Sequence, residues 1–190
     1  MTTSLVPTRG SIQDVGKHGD MALALLDAKV VLLCDRSSSM LEIARSGKAA
    51  YEIEDEVVTK LQAKHQGQVA LIAFADDAYL CLDGHLPYPN GNTNMLDAFT
   101  KAEPLASAGL RAILITDGMP SHDESEVIQH AQVFRGKMDC IFVGNELSGG
   151  ADFLKRLAKS LKGSHSICDI GKEPKLLEEQ LETLLLKAGK

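Results

Sequence analysis

The chain has 190 residues, enough for one domain with a sizeable core; 44% are hydrophobic and 24% charged, as in ordinary soluble globular proteins. Its formal net charge of −6 disfavours nucleic acid and anionic membrane surfaces as bulk partners. The opening residues, MTTSLVPTRG, lack a basic stretch followed by an apolar one, and no apolar run approaches the ~20 residues that span a bilayer, so neither a signal peptide nor a membrane span is expected.

In chain order, residues 1–28 form an N-terminal arm in which DMALALLDA has the pattern of a short helix, and residues 29–190 form the domain proper. The first strand is expected in KVVLLCD (29–35), followed by a helical pattern over 41–65 with Ala50, Ile53, Val57 and Leu61 on one face. QVALIAFAD (68–76) predicts the second strand, and AYLCL (78–82), after a two-residue turn, its hairpin partner at the sheet edge. A weaker helix at 94–108 is interrupted by Pro104. RAILITD (111–117) is the next strand, and a helix over 121–136 opens with SHDE, a capping-box spacing from Ser121 to Glu124. MDCIFVG (138–144) and SHSICDI (164–170) complete the strands, with helices at 150–162 and, from near Pro174, at 173–187. The strands are continuously apolar rather than alternating, as in sheets covered on both faces. The fold class is therefore α/β: a doubly wound, mainly parallel sheet with one antiparallel edge strand and helices on both faces.

In such sheets ligands sit beyond the carboxyl ends of the strands, where the strand order reverses. The first strand ends at Asp35, followed by Ser37 and Ser39, and a later one ends at Asp117 in LITDGMP. Between them the turn-rich loop DGHLPYPNGN leads to Thr93. Two carboxylates and three hydroxyls suit a hard divalent cation, which takes about six oxygens and keeps some water. An ion held mostly by hydroxyls stays under-neutralised, so an open position favours an anionic ligand.

Asp-x-Ser-x-Ser after a first strand, a Thr in a Gly/Asn loop, and Asp-Gly after a later strand resemble the von Willebrand factor A (vWA) domain family, over roughly residues 29–187. In that family the three pieces form the metal-ion-dependent adhesion site. The resemblance implies a Rossmann-like sheet and a metal site at Asp35, Ser37, Ser39, Thr93 and Asp117. It implies Mg²⁺, with Mn²⁺ or Ca²⁺ as alternatives, and binding rather than catalysis. The expected partner is a protein that completes the ion through an Asp or Glu side chain, in some relatives within larger ATPase or chelatase assemblies. Ser38 stands where the family often has Gly. Arg36, in the same loop, is placed either against the cation or against an acidic partner, and His85, Tyr88 and His122 are further candidates for partner contact in nearby loops.

Four other patterns are incomplete or absent. An aspartyl phosphatase needs a second acid at the position of Ser37, and a receiver domain needs an acidic pair where only Asp35 stands. RSGK at 45–48 is not a Walker A loop, because Glu42 replaces the first glycine and Ala49 follows the lysine, and no G-x-S-x-G elbow occurs. An enzyme subunit or metal-dependent hydrolase, and a scaffold that binds no ion, remain as alternatives. The histidines lack metal-ligand spacing. YEIEDE (51–56) is taken as the wet face of a helix. Cys34, Cys81, Cys140 and Cys168 all fall in strand-like segments without a CxxC pair, so they are expected as reduced core residues of a cytoplasmic protein.

Overall fold

All six apolar runs become strands of one sheet: β1 (Val30–Asp35), β2 (Val69–Phe74), β3 (Ala78–Leu80), β4 (Arg111–Thr116), β5 (Met138–Val143) and β6 (His165–Cys168). The computed structural model describes residues 28–42, 47–144, 149–169, 173 and 175–188. The N-terminal arm up to residue 27, including its expected helix, lies outside the described residues, as does Pro174. The sheet order is β3-β2-β1-β4-β5-β6. All pairs are parallel except β2–β3, where Phe74 faces Ala78 across the expected edge hairpin. The order reverses between β1 and β4, whose register sets Cys34 beside Ile115.

Five α-helices are described: α1 (Ala50–Lys64), α2 (Met95–Ser107), α3 (Glu124–His130), α4 (Gly149–Ser160) and α5 (Lys175–Ala188). Alternate residues of each strand point to opposite faces. Val31 and Leu33 join the core under α2, α3 and α4. Val30, Leu32 and Cys34 join the core under α1 and α5. Burial on both faces explains the unbroken apolar runs, and every residue of β1, β2 and β5 is buried. No described helix is long and apolar enough to cross a membrane.

Three expectations change in detail. The helix expected from residue 41 begins at Ala50, after Gly47 at φ +81°, and the Glu52 carboxylate accepts the free N–H of Ala49 at 2.7 Å. The helix around Pro104 does not break there but runs on to Ser107, because Leu105 and Ala106 are drawn into the core. At α3 the N-terminal cap is Asp123, accepting from the N–H groups of Ser125 and Glu126, and not Ser121. Ser121 has another task, described below.

The loop before α2 turns at Gly91, with φ +71°. A β-carbon there would lie 2.3 Å from Asp76 Oδ2, and the Gly91 carbonyl accepts the N–H of Ser38 at 3.0 Å. Gly91→Ala therefore meets both a disfavoured backbone angle and a steric clash. It should lower stability by about 1–3 kcal/mol, read as a reduced urea midpoint at unchanged m value.

Candidate metal site

The oxygen-bearing residues meet where β1 and β4 end side by side. Beyond Asp35 the chain leaves the sheet through Ser37 and then makes a 3₁₀ turn over Ser38–Leu41, pinned by the buried side chain of Met40. The two serines converge through this turn, Ser37 extended just before it and Ser39 within it. Ser37 Oγ and Ser39 Oγ are 3.0 Å apart, and Ser39 Oγ donates to Asp117 Oδ1 at 2.7 Å. Thr93 faces them: a β-carbon on Gly118 would lie 3.4 Å from Thr93 Oγ1 and 3.8 Å from Ser39 Oγ. Gly118 thus keeps open the space that those two hydroxyls share.

Asp35 lies behind the others, fully buried. Its Oδ1 accepts the N–H of Ser37 at 2.8 Å and its Oδ2 accepts the hydroxyl of Thr116. The role this geometry gives Asp35 is to fix Ser37 from beneath. Thr93 is held by reciprocal bonds to Ser121: its N–H donates to Ser121 Oγ and its carbonyl accepts the Ser121 N–H, both at 2.9 Å. Thr116 and Ser121 escaped the sequence reading. Thr116 is one more residue of an apolar strand by pattern, and Ser121 was assigned to capping by its spacing.

Burial pushes the Asp35 carboxyl above its usual range despite the bonds from Thr116 and Ser37. Asp117 is raised to about 6, chiefly by burial and further by the neighbouring Asp35, against the opposing bond from Ser39. The site's own dipoles leave both carboxylates under-compensated, and a cation is the charge that would hold them ionised. The donor spacing also fits: neighbouring oxygens around an octahedral ion with metal–oxygen bonds of about 2.0–2.1 Å sit about 2.9 Å apart. The 3.0 and 2.7 Å separations here are hydrogen bonds of nearly that length, so an ion entering between these oxygens need move them little. Among the described residues no group of three or more His, Cys, Asp or Glu side chains forms an alternative metal cluster.

The other candidates divide. Arg36 turns away from the solvent. It is 2% exposed and turns inward over the ring of Tyr51, with Nη2 3.7 Å from both Glu54 and Asp55 and Nη1 donating to the Tyr51 carbonyl. Its guanidinium is thus engaged within the chain. Glu54 is fully buried, which also corrects YEIEDE as a wholly wet face. Burial raises Glu54 to about 7, outweighing the pull of Arg36. Tyr88 is 68% exposed and packs edge-on against Tyr51, ring centres 5.3 Å apart. His85 is exposed in the same loop, its N–H bonded to Asp83. His122 is exposed beside Ser121. Neither histidine contacts the site hydroxyls.

The α/β sheet that carries this hydroxyl-and-carboxylate cluster at its switch point has counterparts among solved structures. The chain resembles the von Willebrand factor type A protein of Catenulispora acidiphila at TM-score 0.66 and 21% identity, over 85% of this chain and 43% of that one. It also resembles proximal thread matrix protein 1 of the mussel byssus, solved with a zinc-occupied metal-ion-dependent adhesion site motif, at TM-score 0.60 and 18% identity over 85% and 46% of the two chains. A third is the manganese-loaded TRAP protein of Plasmodium vivax, at TM-score 0.55 and 16% identity over 80% and 72%. The chain has the von Willebrand factor A fold. It spans less than half the length of the bacterial and mussel proteins. No protein-family model and no curated protein matches its sequence.

Proposed function

We propose that the protein is a metal-dependent protein-binding module of the von Willebrand factor A family, and not an enzyme. Ser37, Ser39 and Thr93 hold a divalent cation, Mg²⁺ in the first instance, with Asp117 beside them and Asp35 acting through Ser37. The observation that carries this reading is the convergence of Ser37 Oγ, Ser39 Oγ and Asp117 Oδ1 at octahedral-edge spacing in front of Thr93. The zinc- and manganese-bearing neighbours support a divalent ion in general. Bound there, the ion supplies a Lewis-acidic position for a carboxylate from an Asp or Glu of the partner. The residues themselves orient that carboxylate: Thr116 and Asp35 fix Ser37, and Ser121 fixes Thr93. The four cysteines are free and buried, in keeping with the cytoplasmic location we assign.

Calorimetry tests the reading. The protein should bind Mg²⁺ or Mn²⁺ with an affinity in the millimolar range or tighter. Thr93→Ala should weaken binding at least about tenfold with an unchanged circular dichroism spectrum, since it removes one ligand and keeps both backbone bonds to Ser121. Absence of Mg²⁺, Mn²⁺ and Ca²⁺ binding at millimolar concentration would return the chain to the scaffold reading.

A further inference from the structure

We propose that a cavity between Tyr79 and Tyr88 is a second anchoring site, shaped for one basic side chain of the protein that reaches the metal residues. This rests on the binding reading above and specifies what accompanies the acid in that partner. The cavity has a volume of about 220 Å³ and is lined by Arg36, Asp76, Asp77, Tyr79, Tyr88 and Asn90, among others. Small-molecule and cofactor sites run from roughly 300 to 1,000 Å³, so this one suits a single long side chain. It adjoins the serine loop: the Asn90 N–H donates to the Arg36 carbonyl at 2.8 Å, and the Ser38 N–H to the Gly91 carbonyl at 3.0 Å. The loop that carries Asn90 and lines the cavity is thus bonded directly to the chain that carries the serines.

The aromatic residues are sorted to fit. The chain has five phenylalanines, three tyrosines and no tryptophan. Every phenylalanine is buried in the core. All three tyrosines gather here: Tyr51 stacks edge-on with Tyr88 and lies beneath Arg36, while Tyr79 and Tyr88, 46% and 68% exposed, line the cavity. Exposed tyrosines grouped in this way give rigid, amphipathic contact area and faces that attract a cation.

Charge selects the occupant. Asp76 and Asp77 are both exposed. Asp76 Oδ1 accepts from the Asn92 N–H and Nδ2, whereas the Asp77 carboxylate has no hydrogen-bond or ion-pair partner among the described residues. The one cation in the wall, Arg36, is met by Glu54 and Asp55 and is buried. An acidic side chain entering the cavity meets two carboxylates, and an aromatic one leaves Asp77 unpaired. A lysine or arginine lays its stem along the tyrosines and brings its charge to Asp77.

The test is an amide NMR titration of the full chain with arginine capped as its N-acetyl N-methylamide, and with the equally capped citrulline as uncharged isostere. It is run in Mg²⁺ and in EDTA. The arginine probe should bind in the millimolar range, shift the amides of Asp76, Asp77, Tyr79 and Tyr88, and do so equally in EDTA. Citrulline should bind about tenfold more weakly, Asp77→Asn should weaken the arginine probe about fivefold, and Tyr88→Ala should weaken it further. No saturable shift at tens of millimolar, equal binding of citrulline, or full retention in both folded variants overturns the proposal. Because the probe lacks a side-chain carboxylate and its binding is metal-independent, this result and the Mg²⁺ calorimetry can fail separately.

Discussion

Glu54→Ala should destabilise the protein by about 3 kcal/mol or more at neutral pH, one of the largest single-site costs in the molecule. The side chain is wholly buried on the core side of α1, opposite a guanidinium that is itself 2% exposed. Removing it leaves Arg36 in the interior with only the half-exposed Asp55 to answer it, and an uncompensated buried charge costs about 3–5 kcal/mol. The pair is not well made. Nε and Nη2 of Arg36 lack hydrogen-bond partners, and the Glu54 carboxylate has the weakly donating Cys34 thiol beside it. The double change Arg36→Met with Glu54→Leu should therefore recover most of the loss, as apolar replacement of a buried ion pair often does. Urea denaturation of the two variants checks both statements. A further arm uses pH. With its carboxyl raised from the ordinary 4.5 to about 7, the folded state holds a proton that the unfolded chain has released. Glu54 thus makes stability fall as pH rises from about 4.5 to about 7, and Glu54→Gln should flatten that slope.

Mg²⁺ affinity should decrease by up to about tenfold for each pH unit below about 6. Asp117 titrates there in the metal-free protein because burial, then the nearby Asp35, raises it. A proton on Asp117 Oδ1 removes an anionic oxygen from the group that faces the ion, so proton and cation compete. The sign is fixed: acid weakens the ion, and saturating ion lowers the apparent pKa. Calorimetry at pH 5, 6 and 7.5 measures it, and Asp117→Asn should bind weakly at all three with little pH dependence left. A wild-type affinity that stays flat across this range places Asp117 outside the ion's reach.

The strands were legible because each is buried on both sides, which writes an uninterrupted apolar run. The site was legible for a related reason: Asp35, Ser37, Ser39 and Asp117 interrupt such runs with oxygen at the strand ends. What stayed hidden acts through packing. Glu54 falls four residues after Ala50 and three and four before Val57 and Val58, on the buried face of α1. Its periodicity marked it, but a charged letter between Ile53 and Asp55 reads as solvated. Arg36 is a long side chain in a loop, and nothing in its spacing tells inward from outward. Thr116 looks like strand until Asp35 beside it needs a donor. Ser121 and Asp123 both fit a helix start, and the choice is made by Thr93, which is far away in sequence.

The switch point also sets a timetable. β1, the first described strand, lies inside the sheet between β2 and β4, and Ser39 meets Asp117 across 78 positions of chain. At ~5–20 residues per second a ribosome takes about 4–16 s to make that interval. The Thr93 loop arrives partway through it, and the β4 neighbour and the second acid come only at its end. The proposed ion site is thus completed late in the life of the nascent chain, and a fragment ending after α2 has the serine turn and Thr93 without the wall that closes them.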